Sequence, residues 1–220
     1  MSSTRGVVVM TALLCVMGAC SAPTPGPKVG PAPPRSDATV SSVSPGTTAS
    51  PAGLGVAVSD LHQLDWDEAP LPPGFCGVPT ATQFSGGFAT ATSATWGGVT
   101  VAVLQVTYGN LLGDDAEEAA LDVYCDNGGG TASSTLEYGI AVYAGRAGEL
   151  VSLGILTAQK QDADQMATLL SVKEWRDRSM VVTENYYRTS DSTCCPSGIA
   201  ETTWTWEDDV PSPGGPHVLQ

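Results

Sequence analysis

The chain has 220 residues, with 9 Lys and Arg against 23 Asp and Glu and a formal net charge of −14. That excess of negative charge repels phosphate backbones and anionic bilayer surfaces, which excludes nucleic acid as an expected partner. Upstream of residue 58 the charges are Arg5, Lys28, Arg35 and Asp37, so the acidity belongs to the part that follows.

Met1 to Gly6 is polar with one positive charge, Arg5; Val7 to Val16 is apolar apart from Thr11; Gly18, Ala19 and Cys20 follow. This is the three-part pattern of a secretory signal peptide, and it is shorter than the ~20 apolar residues a spanning helix needs. Met17-Gly18-Ala19-Cys20 resembles a bacterial lipobox, with Met17 where leucine is usual. Cys15 does not fit, because Leu13 and Leu14 precede it. The resemblance implies a lipoprotein signal peptide over 1–19 and acyl chains such as palmitate on Cys20. Acyl insertion contributes ~0.8 kcal/mol per buried methylene, and several chains on one residue anchor stably. Ordinary cleavage nearby, giving a secreted protein, is the alternative.

Residues 20–57 form the lipidated N-terminus and a linker rich in Pro, Ser, Thr, Gly and Ala, with Pro31-Ala32-Pro33-Pro34 at its centre. Such a composition buries too little apolar surface to offset its ordering entropy, which predicts a disordered stalk. A proline-rich docking motif is a sharper reading of the same residues.

Residues 58–209 are enough for one domain with a sizeable core. Leu64 to Gly77 reads as an irregular lead-in, with Trp66 and Phe75 available to cover that core. Val99 to Tyr108 is apolar on both faces, as expected of a central buried strand. Ala119 to Cys125 alternates and places Cys125 inward; Asp126 to Gly130 is a turn cluster. Leu136–Tyr143 and Glu149–Thr157 make a hairpin across residues 145–148, and the polar stretch 158–166 suggests a short helix. Thr168–Trp175 and Met180–Arg188 make a second hairpin. Ala200–Trp206 closes the domain with Thr202, Trp204 and Trp206 on one face, and residues 210–220 read as a flexible tail. The sum is an all-β or β-rich α+β fold: a single antiparallel-sheet domain with two disulfides, preceded by a disordered stalk.

Once Cys15 is removed and Cys20 lipidated, Cys76, Cys125, Cys194 and Cys195 remain. Four thiols in an exported chain predict two disulfides. Adjacent cysteines seldom bond each other because the small ring distorts the peptide between them. Cys194 and Cys195 are therefore each expected to reach one of Cys76 and Cys125, with both assignments open. A metal site is the alternative, but the chain lacks C-x-x-C spacing and nearby histidines.

Residues 108–118 (YGNLLGDDAEE) resemble the calcium loops of FG-GAP-type repeats, D-x-D-G-D-G-x-x-[DE]. The resemblance assigns Asn110, Asp114 and Glu118 as candidate metal ligands, since calcium takes 6–8 oxygens. Leu112 stands at the second ligand position and Asp115 replaces the turn glycine. Without that loop, no cofactor is expected. His62 and His217 read as solvated, and no G-x-S-x-G elbow occurs. Asp65, Asp67 and Glu68 flank Trp66, a grouping that suits either a sugar-stacking site or a solvated acidic segment over a buried Trp. Trp204 and Trp206 read as a carbohydrate platform or, more simply, as core. Gly128-Gly129-Gly130 lacks the Lys and following helix of a phosphate loop.

Asn185-Tyr186-Tyr187, Cys194-Cys195-Pro196-Ser197-Gly198 and Thr202-Thr203-Trp204-Thr205-Trp206 resemble the closing segment of the LppP/LprE-type lipoproteins of actinobacteria. There a strand leads into a C-C-P-[ST]-G turn and a Trp-bearing strand follows. The likeness runs from Gly139 to about Trp206, a third of the chain. It implies an exported envelope protein on the extracytoplasmic face of the cell membrane and carries over no catalytic residue. The expected function is a non-enzymatic module that binds an envelope protein, glycan or small ligand. The alternative is an envelope hydrolase or carbohydrate-active enzyme using carboxylates.

Overall fold

The structure is a computed structural model that describes residues 53–129, 134–162 and 166–219. The signal peptide, Cys20 and the linker up to residue 52 lie outside the described residues. Among the described residues no helix is long and apolar enough to cross a membrane.

The all-β expectation holds. Strands β1 (Gly53–Ala57), β4 (Phe88–Ser93), β5 (Gly97–Gly109), β6 (Glu118–Asp126), β7 (Thr135–Arg146) and β8 (Glu149–Thr157) form one antiparallel sheet in the order β1-β8-β7-β6-β5-β4. A second sheet, ordered β12-β11-β10-β9, contains β9 (Leu169–Arg176), β10 (Ser179–Tyr186), β11 (Gly198–Glu207) and β12 (Val210–Pro213); β13 (His217–Val218) pairs with β11 beside β12. A small ribbon joins β2 (Pro70–Leu71) to β3 (Thr82–Gln83).

The six-stranded sheet buries both faces, because its strands alternate apolar side chains to either side. On one face Val99, Val101, Ala119, Leu121, Val123, Cys125 and Tyr143 pack beneath a cap formed by residues 61–84, which contributes Leu61, Trp66, Leu71, Phe75, Val78 and Phe84. The cap is a chain of single 3-10 turns, two of them opened by Asp60 and Asp65, whose side chains accept from the N–H two residues on. On the other face Ala120, Ile140, Val142, Leu153 and Leu156 meet Leu170, Met180, Val182, Trp204 and Trp206 of the second sheet. Trp206 Nε1 donates to the Leu153 carbonyl at 3.0 Å, and Trp175 lies so close over β5 that a Cβ on Gly109 would sit 2.4 Å from its ring. Trp204 and Trp206 are thus core, and Trp66 and Phe75 cover the core as expected.

Several expectations need correcting. Residues 53–57, taken as linker, form β1 on the sheet edge beside β8. Residues 210–218, taken as tail, supply β12 and β13, because the alternating β11 offers Ala200–Glu207 an unpaired edge on that side. The described part of 158–166 contains no helix. β5 is an inner strand but not buried throughout: at a bulge between Val103 and Gln105, Leu104 turns outward and is 53% exposed.

The disulfide expectation changes most. Cys76 bonds Cys125, with Cα atoms 6.4 Å apart, inside the range a disulfide tolerates. Cys76 belongs to the cap and Cys125 points toward it from β6, so the bridge staples cap to sheet. Cys194 and Cys195 lie on the connection between β10 and β11, in the sheet that covers the opposite face, and both thiols are exposed. The six-stranded sheet separates that second sheet from the cap, and Cys76 and Cys125 are bonded to each other.

Candidate functional site

The connection between β5 and β6 carries Asn110 and Asp114, and the third residue read as a metal ligand, Glu118, opens β6. Asn110 Oδ1 accepts from Gly113 N at 2.7 Å, and its amide donates to the Asp114 carbonyl. Asp114 Oδ1 accepts from Ala116 N at 2.9 Å. Glu118 Oε2 accepts from Leu111 N at 2.7 Å and Leu112 N at 3.1 Å. One oxygen of each candidate ligand therefore holds a backbone N–H of its own loop, as Asx-type turns do. Leu111 is drawn inward, where its carbonyl accepts from Arg178 N at 2.6 Å. Among the described residues no group of three His, Cys, Asp or Glu stands close enough to hold a metal ion.

That loop forms one wall of an open recess of about 390 Å³, lined by Val58 to His62, Asp115 to Glu117, Gly145 and Gly148. The size falls within the range of small-ligand pockets. At its rim His62 Nε2 pairs with Glu117 Oε2 at 2.8 Å, both side chains about half exposed. The imidazole stacks on Tyr108 with ring centroids 3.9 Å apart, and the Tyr108 hydroxyl accepts from Trp66 Nε1 at 2.8 Å. A buried aromatic column through Trp66 and Tyr143 thus supports the ring, and Tyr143 itself donates to the Pro70 carbonyl at 3.1 Å. Asp60, Asp115 and Glu117 give the recess an acidic lining beside one histidine. His62 is solvated as expected, but its pairing with Glu117, 55 residues away, has no signal in the sequence; the topology of β1, β5 and β6 creates it.

The perturbed carboxyls lie elsewhere. Burial pushes Glu118 up, partly offset by the N–H groups of Leu111 and Leu112. Burial pushes Glu137 up, partly offset by the Cys76 N–H, which donates to it at 2.9 Å. Burial lifts Asp122 to about 6, against the pull of the Gln105 amide at 2.6 Å. Glu184, wholly buried, accepts from Gln159 N at 2.9 Å and Lys160 N at 2.7 Å and pins the loop after β8.

The acidic lead-in is likewise occupied. Asp65 caps a turn, Glu68 Oε1 accepts from Gly86 N at 2.8 Å, and Trp66 is buried, so no aromatic face is presented between these carboxylates. His217 lies on β13, exposed, and Gly130 is outside the described residues. Comparison with protein-family models, with curated proteins and with solved structures finds no match to this chain.

Proposed function

We propose that this protein is a lipoprotein of the cell envelope, held on the extracytoplasmic face of the membrane through Cys20, whose β domain is a non-enzymatic binding module. The observation that carries the non-enzymatic half is the direction in which the acids face. Catalysis by paired carboxylates needs an acid and a base, with pKa values split by their surroundings, opening onto one cleft. Here the carboxyls raised by burial, Glu118, Asp122 and Glu137, are turned to N–H groups of the fold, and none lines the recess. The recess offers instead a fixed imidazole–carboxylate pair and two further carboxylates. That surface suits a ligand bearing cationic or hydroxyl groups, whether on a protein, a glycan or a small molecule. The lipobox pattern and the C-C-P-S-G segment support the envelope setting.

The test is cross-linked capture from native envelopes with the full chain as bait. One saturable ligand is expected, competed by untagged protein and weakened about tenfold or more by Glu117→Ala or His62→Ala, the loss of ~1.4 kcal/mol that a central contact supplies. Capture indifferent to both substitutions would remove the recess from the site. Glycan turnover by the purified protein, abolished by a carboxylate substitution, would overturn the non-enzymatic reading.

A further inference from the structure

Cys194 and Cys195 stand side by side on the turn between β10 and β11, and both thiols are exposed. The turn beneath them is tied at several points. The Asp191 carboxylate accepts from Arg188 N and Ser197 N, each at 2.8 Å, and from the Ser197 hydroxyl at 2.7 Å. Cys195 N donates to the Ser192 carbonyl at 3.2 Å, and the Tyr187 hydroxyl donates to the Thr193 carbonyl at 3.3 Å. Ser192 Oγ lies 3.1 Å from Cys194 Sγ. The fold makes no bridge from these thiols to Cys76 or Cys125, which are bonded to each other.

We infer that Cys194 and Cys195 form a reactive dithiol that exchanges with low-molecular-weight disulfides and closes reversibly to a Cys194–Cys195 bond. Cys194 is the first nucleophile. Hydrogen bonds from Cys195 and from Ser192, whose Oγ is at 3.1 Å, pull its thiol below the usual range, while the same hydrogen bond to Cys194 pushes Cys195 up. The Cys194 thiolate attacks one sulfur of R–S–S–R; a mixed disulfide forms on Cys194, and RS⁻ leaves with the electron pair of the broken bond and takes up a proton. Cys195 then loses its proton and attacks Cys194 Sγ, expelling the second RS⁻. Two protein thiols are oxidised and one external disulfide is reduced to two RSH, so atoms and electrons balance. The closed ring spans a single peptide and distorts it, which leaves the bond easily reduced by an external dithiol. The Cys76–Cys125 staple sits in the core; this pair is placed for exchange at the surface. The inference stands independently of the recess.

The experiment treats the full chain with hydroxyethyl disulfide, blocks residual thiols with N-ethylmaleimide and maps unreduced peptides by mass. The expected result is a peptide holding Cys194 and Cys195 that is lighter by two hydrogens, carries no adduct and returns to the dithiol on treatment with dithiothreitol. Cys195→Ser should retain one hydroxyethylthio group on Cys194, and Cys194→Ser should react several-fold more slowly at Cys195. A parent peptide keeping two adducts, two maleimides, or a link to Cys76 or Cys125 would overturn the inference. Equal rates in the two variants would overturn the assignment of Cys194 as nucleophile.

Discussion

Asp122 shows how a single residue can cost this fold stability. It projects from β6 into the space between the sheets, 3% exposed, opposite Gln105 of β5. Gln105 satisfies Oδ2, while Oδ1 and the neighbouring Thr107 hydroxyl are buried with no partner among the described residues. Burial of a half-satisfied carboxylate favours its neutral form. The folded pKa, about 6, lies above the ordinary 3.8, so the folded chain holds this proton more tightly than the unfolded one. Stability therefore falls as pH rises from about 3.8 to about 6 and is level above that window. The cost at neutral pH is on the order of 3 kcal/mol at most. Asp122→Asn keeps an oxygen for Gln105 and discards the charge. It is expected to be more stable than the parent at pH 7, with the advantage gone below pH 4. Denaturation midpoints of both proteins across that range decide it; a variant less stable than its parent at pH 7 would show that the charge has a partner.

At the scale of elements, what was legible in the sequence follows the alternation of side chains. β6 and β7 repeat apolar residues at every second position, and turn residues mark the β7–β8 and β9–β10 hairpins, so period and punctuation agreed. β11 likewise shows its buried Thr202, Trp204 and Trp206 in the pattern. β12 and β13 lacked such a signal, because Pro211 and Pro213 argue against a strand unless it lies on an edge. An edge is where β12 lies, and it is also fitted to the other sheet: Gly154, at φ +117, leaves room for Pro211, whose Cγ would stand 2.5 Å from an added Cβ. The cysteine pairing was illegible for a different reason. Spacing says nothing about which face of the large sheet each segment covers, and that assignment decides which thiols meet. The Asn110–Glu118 loop keeps one turn glycine, Gly113, yet whether its oxygens face outward to a cation or inward to N–H groups depends on Leu111, which the core draws in. Ending the chain after Asp209 strips β11 of its pairing with β12 and β13 and removes the bonds from Gly214 N to Thr203 and from Leu219 N to Ile199, each 2.8 Å. At ~1 kcal/mol net per hydrogen bond, the truncated protein is expected to lose at least ~2 kcal/mol. A tail without structure would leave the denaturation midpoint where it was.

For the whole molecule, the proposed envelope setting raises the question of what would hold it at a membrane. A net charge of −14 supplies no attraction to an anionic surface. No described helix spans a bilayer. The exposed large apolar residues among those described are scattered, Phe88, Trp96 and Leu104 by the β4–β5 hairpin and Val210, Val218 and Leu219 along the C-terminal segment, short of the combined signals that stable anchoring takes. On the proposed reading, attachment therefore falls on acyl chains at Cys20. Two consequences separate this from adsorption by the domain. A high-salt wash should leave the protein in the membrane fraction, because acyl insertion is not screened by ions. Cys20→Ala should move it to the medium, with the β domain still folded and its Cys76–Cys125 bond intact, since the described strands and that bond are built from residues 53 onward. Fractionation followed by immunodetection reads both. A Cys20→Ala protein still retained after the salt wash would place the attachment in the domain itself, and the apolar residues around Phe88 and Leu104 would then be the surface to change next.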